Sequence, residues 1–266
     1  MPSTSLSSTQ RGSATTILAG RNLRSHRDSR PALLLLPGLN CDEEVWAGQI
    51  AALGGGHTCV VPRYHELDSI VAMAQRVLDE APPRFALAGH SMGGRVALEV
   101  MRAAPQRVSH LALLDTGHEA CQVGEHGKRE ARERRRLLDL ARKSGMRAMA
   151  IEWVRGMVHP ARDADSALIA RIVAMIERHT LEGYSAQIRA LLERPDAGDV
   201  LPQIRCPTLV ACGREDTWSP LARHQAMAAL IPNSQLVAFE QCGHMSTMEQ
   251  PAVVTAAMRR WLQQGG

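Results

Sequence analysis

One stretch indicates how this 266-residue chain folds: Ala86-Leu-Ala-Gly-His-Ser91-Met-Gly-Gly-Arg95. An apolar run precedes the serine and an amphipathic run follows it, a pattern typical of a strand, a sharp turn and a helix. Gly89 and Gly93 lie two residues to either side of Ser91, the G-x-S-x-G spacing of a nucleophile elbow. A serine on so tight a turn takes strained backbone angles, and larger side chains at the two glycines would collide. The stretch therefore predicts a serine at the tip of a strand-to-helix turn.

Short apolar runs and helical patterns alternate on both sides of this elbow. A uniformly apolar run such as Ala32–Leu36 is typical of a strand buried on both faces of a parallel sheet. The predicted strands are 32–36, 57–61, 85–88, 108–114, 208–211 and 235–239, and the predicted helices of the same pattern are 45–53, 67–80, 92–104, 220–230 and 251–262. The alternation predicts an α/β fold, a doubly wound and mostly parallel sheet with helices on both faces.

The alternation stops between Gly117 and Arg194, where the patterns are helical only. We expect four helices there, at 125–144, 146–158, 166–180 and 181–193. Residues 117–194 are therefore interpreted as a helical cap inserted over the carboxyl edge of a core made of residues 31–116 and 195–266. Residues 1–30 are rich in Ser, Thr and Arg, which favours a disordered N-terminal extension, with a transit peptide as the alternative.

The composition narrows the class of protein further. Hydrophobic residues make up 45% of the chain and charged residues 22%, and the net charge of +4 comes from basic residues that are mostly interleaved with acidic ones. This argues against nucleic-acid binding, and no apolar run approaches the ~20 residues that span a bilayer. The six cysteines form no C-x-x-C pair and no zinc-type cluster. We therefore expect no metal or organic cofactor, and a reducing, cytoplasmic compartment.

Three polar residues follow three different predicted strands: Ser91, Asp216 and His244. Loops at the carboxyl ends of parallel strands meet along one edge of the sheet, and the order Ser, Asp, His is the one this architecture uses. His244 would take the proton of the Ser91 hydroxyl, and Asp216 would orient the imidazole. Asp115, which ends the 108–114 strand, stays open as the alternative acid.

Two backbone amides are candidates for an oxyanion hole. The N–H of Met92 follows the serine at the start of a helix, and the N–H of Leu39 lies in the loop after the first strand. Such a pair of amides would stabilise the negative charge that develops on a carbonyl oxygen when a serine attacks it.

The most charged segment is the run from Lys128 to Asp139. Glu130 and Arg134 are four residues apart and Glu133 and Arg136 three apart, so the run is interpreted as a solvated helix that compensates much of its own charge. The alternative is a landing site for an anionic substrate or a carrier protein.

Taken together, four stretches resemble the α/β-hydrolase superfamily over about residues 32–117 and 195–265. The stretches are Leu-Leu-Leu-Leu-Pro-Gly-Leu-Asn-Cys-Asp-Glu-Glu-Val-Trp46, Gly-His-Ser91-Met-Gly-Gly, Cys-Pro-Thr-Leu-Val-Ala-Cys-Gly-Arg-Glu-Asp216-Thr-Trp-Ser-Pro and Cys-Gly-His244-Met. The chain is similar to the small carboxylesterases that include pimeloyl-carrier-protein methyl ester esterase and 3-oxoadipate enol-lactonase. It departs from the family at Pro37-Gly38, where His-Gly is usual.

The resemblance implies a monomeric or homodimeric serine hydrolase that cleaves an ester of a small or medium acyl group through an acyl-enzyme. The implied substrate is a small-molecule ester or a carrier-protein-linked acyl group. A lactonase or C–C bond hydrolase that uses the same three residues is the first alternative. A non-catalytic binding protein with the same fold is the second.

Overall fold

The computed structural model describes residues 30–121 and 124–265, and within them six strands form one sheet. The strands are β1 (Ala32–Leu36), β2 (Thr58–Val60), β3 (Phe85–His90), β4 (Val108–Leu114), β5 (Thr208–Gly213) and β6 (Ser234–Phe239). Their order is β2-β1-β3-β4-β5-β6, and every neighbouring pair is parallel. The predicted parallel α/β fold is confirmed. The disorder predicted for the N-terminal extension falls on residues 1–29, outside the described residues.

Helices cover the sheet and explain why its central strands are uniformly apolar. They are α1 (Ala47–Leu53), α2 (Ile70–Glu80), α3 (Met92–Ala103), α4 (Glu125–Val154), α5 (Ser166–Glu177), α6 (Leu181–Leu192), α7 (Leu221–Leu230), α8 (Ser246–Glu249) and α9 (Pro251–Leu262). Every residue of β3 is buried, as are Leu33–Leu36 of β1. A strand with both faces buried has no polar face, so its sequence does not alternate.

Helix ends are where the sequence-based boundaries were wrong by a few residues. The helix predicted from residue 67 begins at Ile70, because the Ser69 hydroxyl accepts a hydrogen bond from the amide of Ala72 and caps the helix there. A short 3-10 helix, Glu43–Trp46, precedes α1, and the one-turn helix α8 was not predicted. None of these boundary differences changes which loop or helix carries a candidate site residue.

Helices α4, α5 and α6 lie between β4 and β5, and residues 115–121 and 124–207 contain no strand. Gly145 has φ +85° and breaks α4 into two helical parts, as the sequence pattern predicted. The Glu130–Arg134 and Glu133–Arg136 ion pairs expected on α4 are both present. We infer that α4–α6 form a cap over the carboxyl edge of the sheet; the exact division at residues 117 and 194 stays a prediction.

Throughout the described ranges, no helix is both long enough and apolar enough to cross a membrane.

Candidate active site

Ser91 lies at the turn between β3 and α3 with strained backbone angles, φ +54° and ψ −117°. The turn is closed by the Ser91 amide, which donates to the Leu114 carbonyl at 2.9 Å, and by the Thr116 hydroxyl, which donates to the Ser91 carbonyl at 2.6 Å. A Cβ at Gly89 would overlap the backbone of Gly93, so only glycine fits where α3 folds back over β3. The local sequence thus forces the serine side chain out at the edge of the sheet.

The structure brings His244 and Asp216 to this serine. His244 follows β6, and its Nε2 lies 2.9 Å from Ser91 Oγ. Its Nδ1 lies 2.8 Å from Asp216 Oδ2 in the loop after β5. The other oxygen of Asp216 accepts from the amides of Trp218 and Ser219, both at 2.8 Å, which leaves Oδ2 for the imidazole. This is the geometry in which a carboxylate orients a histidine that can accept a serine proton.

The pKa shifts of His244 and Asp216 favour an ion pair between the imidazolium and the carboxylate. Burial of His244 opposes its protonation, but the charge and hydrogen bond of Asp216 outweigh it and raise the pKa of His244 above its usual value. Burial likewise opposes ionisation of Asp216, but His244 lowers the pKa of this carboxyl. A site with these shifts stabilises the positive charge that a histidine acquires as a general base.

Asp115, the alternative acid, makes other contacts. It ends β4 with φ +50°, its Oδ1 accepts from the Gly213 amide at 3.0 Å, and Oδ2 accepts from the Ser246 hydroxyl. Burial, together with the charge of Asp216, raises the pKa of Asp115 well above its usual value. Asp115 therefore lies beside the site as a buried carboxyl that links β5 to α8.

The two candidate oxyanion donors, Leu39 and Met92, line the same cavity as Ser91 and His244. Met92 is the first residue of α3, so its amide has no acceptor within the helix. The loop that carries Leu39 is pinned at its next residue, because the Asn40 amide donates to Gln187 Oε1 of α6 at 2.9 Å. Gly38 in this loop faces Ser91, and a Cβ there would lie 3.2 Å from Ser91 Cβ. A side chain at position 38 would therefore crowd the serine.

The loop that carries His244 is held by a buried carboxylate, Glu249 of α8. It accepts hydrogen bonds from the amides of Gly243 and Met245, which flank the histidine, at 3.0 and 3.1 Å. It also accepts from the His159 amide, in the segment after α4, at 2.8 Å. Glu249 thus fixes the histidine loop and joins it to the cap.

The ring of His90, next to the serine in sequence, also contacts the loop that carries His244. His90 is buried, and its Nε2 lies 2.9 Å from the carbonyl oxygen of His244. Burial lowers the pKa of His90 to about 3, so the ring is neutral and can donate this hydrogen bond. This agrees with a structural role for His90 rather than a role in proton transfer.

A cavity of about 480 Å³ opens between the cap and the carboxyl edge of the sheet, within the usual size of a small-molecule site. Ser91 and His244 lie in its wall. Charged side chains line part of the wall. The apolar side chains in it come from both the cap and the sheet: Leu39, Met92, Trp153, Leu191 and Trp218. Across the part of the chain that the structure describes, no three His, Cys, Asp or Glu side chains are grouped so that they could hold a metal ion.

This fold and this site define a class of protein, and comparison with known proteins agrees. The chain belongs to the alpha/beta hydrolase family, whose model matches residues 33–257. It is 27% identical over 237 residues to a pimeloyl-[acyl-carrier protein] methyl ester esterase of Nitrosomonas europaea, which covers 83% of this chain and 91% of that protein. It is 31% identical over 180 residues to a 2-hydroxy-6-oxononadienedioate/2-hydroxy-6-oxononatrienedioate hydrolase of Cupriavidus pinatubonensis, covering 65% and 60%.

Solved structures of related enzymes show the same architecture. A thermophilic esterase from Thermogutta terrifontis, with malate bound, superposes with a TM-score of 0.76 and 30% identity over 88% of this chain and 89% of that one. The enol-lactonase from Burkholderia xenovorans superposes equally well, with a TM-score of 0.76, but at 22% identity over 88% and 92% of the two chains. The second likeness is one of fold only.

Three residues of the site were not found by the sequence analysis. Glu249 follows the candidate histidine by five residues, a spacing that offered a weak signal. Arg95, which lines the cavity, lies one helical turn after Ser91 on a face of α3 that also carries Glu99 and Arg102, so its residue type gave no signal. Gln187 carried no signal, because nothing in α6 tells which of its faces meets the oxyanion loop.

Proposed function

We propose that this protein is a serine hydrolase that cleaves a carboxylic ester of a small or medium acyl group. The observation that carries the proposal is the continuous hydrogen-bonded series from Ser91 Oγ through His244 to Asp216, with distances of 2.9 and 2.8 Å, at the wall of a cavity of small-molecule size. Membership of the alpha/beta hydrolase family and the 30% identity with an esterase support it.

In the proposed reaction, His244 Nε2 takes the hydroxyl proton as Ser91 Oγ forms a bond to the ester carbonyl carbon. The amides of Leu39 and Met92 stabilise the negative charge on the carbonyl oxygen. The bond to the alcohol oxygen then breaks, and His244 returns its proton to that oxygen. A water molecule attacks the acyl-enzyme, again giving a proton to His244, and the acid leaves as Ser91 regains its proton.

The test is hydrolysis of p-nitrophenyl acetate and butyrate by the wild type and by Ser91→Ala. We expect the variant to lose several orders of magnitude in kcat, since the nucleophile is absent. Ser185→Ala, a change on α6 outside the residues that line the cavity, is the matched control and should keep wild-type turnover. Wild-type turnover in Ser91→Ala, together with failure of a fluorophosphonate probe to label the wild type, would favour a non-catalytic protein with this fold.

A lactone or a C–C bond next to a ketone is a second substrate class for the same three residues. One relative, at 31% identity, is named as a hydrolase of 2-hydroxy-6-oxononadienedioate, a ketone, and this name favours testing the second class. Product analysis with lactones, ring-fission diketones and simple esters distinguishes the two classes. Turnover of an ester at a higher kcat/KM than either alternative is the expected result.

A carrier-protein-linked ester is the second candidate within the ester class, because the relative at 27% identity is named for one. The exposed arginines of the charged run on α4, among them Arg129, Arg132 and Arg135, offer a surface for an acidic carrier. Activity on a carrier-linked ester should then exceed activity on the free ester and should fall as salt screens the contact. An absence of both effects would exclude the carrier.

A further inference from the structure

The cavity beside Ser91 is rich in arginine. Five arginines and three glutamates line it, an excess of two positive charges. The arginines come from four parts of the chain, α3, α4, the end of the cap and α7: Arg95, Arg129, Arg134, Arg194 and Arg223. Convergence of cations from separate elements on one cavity is a feature that the hydrolytic reaction itself does not require.

The glutamates compensate only part of this charge. Glu130 is shared by Arg134 and Arg194, each 2.8 Å from the same carboxylate oxygen. Burial of Glu130 favours its neutral form, but the two arginines lower the pKa of this carboxyl to about 2, so it stays ionised. Glu119 pairs with Arg223 at 3.1 Å. Two cations thus share one carboxylate and a third cation takes a second, while Glu133 pairs with Arg136, which does not line the cavity.

Arg95 is a half-buried cation of the cavity that forms no salt bridge with a carboxylate of the described residues; Arg129, the other cavity arginine without one, is exposed. Its Nη1 donates to the carbonyl of Glu119 at 2.8 Å, and in residues 30–121 and 124–265 no carboxylate oxygen lies within 4.0 Å of it. A guanidinium has five N–H groups, so Arg95 keeps donors that no described protein group takes up and that a ligand in the cavity can use. Arg95 Nη2 and Arg223 Nε each lie 3.2 Å from the point a Gly117 Cβ would occupy, so the two cations are within about twice that distance of each other.

The environment of Arg95 favours an added anion. Burial lowers the pKa of its guanidinium below the usual value, and the charges of Arg194 and Arg223 lower it further. Arginine nevertheless stays cationic in proteins, so the strain is relieved by a negative partner rather than by loss of a proton. The planar fork of a guanidinium pairs with the two oxygens of a carboxylate.

We propose that Arg95, together with Arg223, binds a carboxylate of the substrate, so that the substrate class is the half-ester of a short dicarboxylic acid. The inference rests on the proposed ester hydrolysis. Arg95 follows Ser91 by four residues, about 6 Å along the helix axis, and both line the same cavity, so a substrate with a short chain between carboxylate and ester can reach both. The acyl group stays bonded to Ser91 after the alcohol leaves, and an anchor on the same helix holds it through both steps.

The experiment compares half-esters with uncharged esters of similar length: monoethyl succinate, glutarate and adipate against ethyl butyrate, pentanoate and hexanoate. The wild type should show a higher kcat/KM for the half-esters. In Arg95→Gln the ratio of half-ester to neutral-ester kcat/KM should fall by about 10- to 100-fold, the usual value of a hydrogen bond to a charged group. Arg95→Lys should restore part of the ratio, and Arg142→Gln, an exposed change outside the cavity, should leave it unchanged.

Competition by free dicarboxylates tests the site without a variant. Glutarate should inhibit hydrolysis of ethyl pentanoate by the wild type, and more strongly than glutaramide, which has the same carbon chain without a carboxylate. Phosphopantetheine should not compete at the same concentration, because its phosphate is separated from the acyl group by the whole pantetheine arm. Inhibition by phosphopantetheine but not by glutarate would overturn the carboxylate assignment.

The two proposals fail in different ways. If every ester, charged or neutral, is turned over equally by the wild type and Ser91→Ala, the proposed hydrolysis is wrong. If the esters require Ser91 but half-esters and neutral esters react alike, and Arg95→Gln keeps the wild-type ratio, only the carboxylate site is wrong. Should Arg95→Gln fail to fold, absence of inhibition by glutarate in the wild type rejects the site.

Discussion

Asp216 and Asp115 are two buried carboxyls that differ in what they contact. Asp216 accepts a hydrogen bond from His244 Nδ1 at 2.8 Å, whereas Asp115 accepts from the Gly213 amide and the Ser246 hydroxyl. Both follow strands of the same sheet, and residue type does not distinguish them. Their partners do, because a carboxylate on the imidazole stabilises the charge that His244 would gain as the proposed base.

The pH dependence of activity follows from this contact. The proposed base acts in its neutral form, so kcat/KM for p-nitrophenyl butyrate should rise with pH through the pKa of His244, which Asp216 raises above the ordinary value of 6.5. In Asp216→Asn the raising charge is lost while burial remains, so the midpoint should move to lower pH. We expect kcat to fall by about four orders of magnitude, as in other triads that lose this carboxylate.

Asp115→Asn is the matched control. Asp115 accepts from the Gly213 amide and the Ser246 hydroxyl and not from the imidazole, so its loss leaves the contact between His244 and Asp216 in place. We expect a much smaller loss of kcat and a midpoint close to that of the wild type. A larger loss in Asp115→Asn than in Asp216→Asn would make Asp115 the acid.

At the scale of elements, the loop after β6 and helix α8 act together. Glu249 accepts hydrogen bonds from the amides on both sides of His244 and from one amide of the segment after α4. Only 4% of the surface of Glu249 is exposed. The loop is therefore held from its carboxyl side by one short helix. These bonds add to the contacts that His90 and Met157 make with the backbone of His244.

In Glu249→Gln one acceptor oxygen becomes an NH₂ group that faces amide donors. We expect kcat to fall by about tenfold or more through displacement of His244, and the free energy of unfolding to fall by about 1–3 kcal/mol because a buried donor is left unpaired. Steady-state kinetics and urea titration measure the two effects. Glu240→Gln, an exposed change in a pair with Arg214, is the control, and an equal effect there would refute the special role of Glu249.

At the scale of the whole molecule, the cap is bonded to the loops that form the site. Gln187 of α6 is fully buried, accepts from the Asn40 amide at 2.9 Å and donates to the His65 carbonyl at 3.3 Å. The Met157 carbonyl, just after α4, accepts from the His244 amide at 2.7 Å. The proposed oxyanion loop and the proposed base are thus both positioned by cap residues far away in sequence.

Gln187→Met keeps the volume and removes both hydrogen bonds. We expect the free energy of unfolding to fall by about 1–3 kcal/mol, since the Asn40 amide and the His65 carbonyl lose their partner. A fall in kcat with little change in KM should accompany it, because a displaced Leu39 amide weakens transition-state stabilisation. Gln75→Met on the exposed face of α2 is the control. Unchanged kcat in Gln187→Met would show that the loop is positioned without the cap.

Short-range patterns in the sequence determined much of this protein. Uniform apolarity marked Ala32–Leu36 as a buried parallel strand, and two glycines around Ser91 predicted a strained strand-to-helix turn, because both effects act between neighbours in the chain. The same alternation of elements placed Ser91, Asp216 and His244 on loops at one edge. The family was predictable for the same reason.

Contacts between distant segments were decided only by the tertiary structure. Whether Asp216 or Asp115 meets the imidazole depends on loop conformations after two different strands, and strand order alone leaves both within reach. Which face of α6 carries Gln187 toward the oxyanion loop depends on how three cap helices pack, and periodicity gives a helix a face but not a direction. Arg95 became a candidate binding residue only when the structure placed Arg194 and Arg223 at the same cavity. The net charge of a cavity is the sum over segments that are distant in sequence, so no local pattern predicts it.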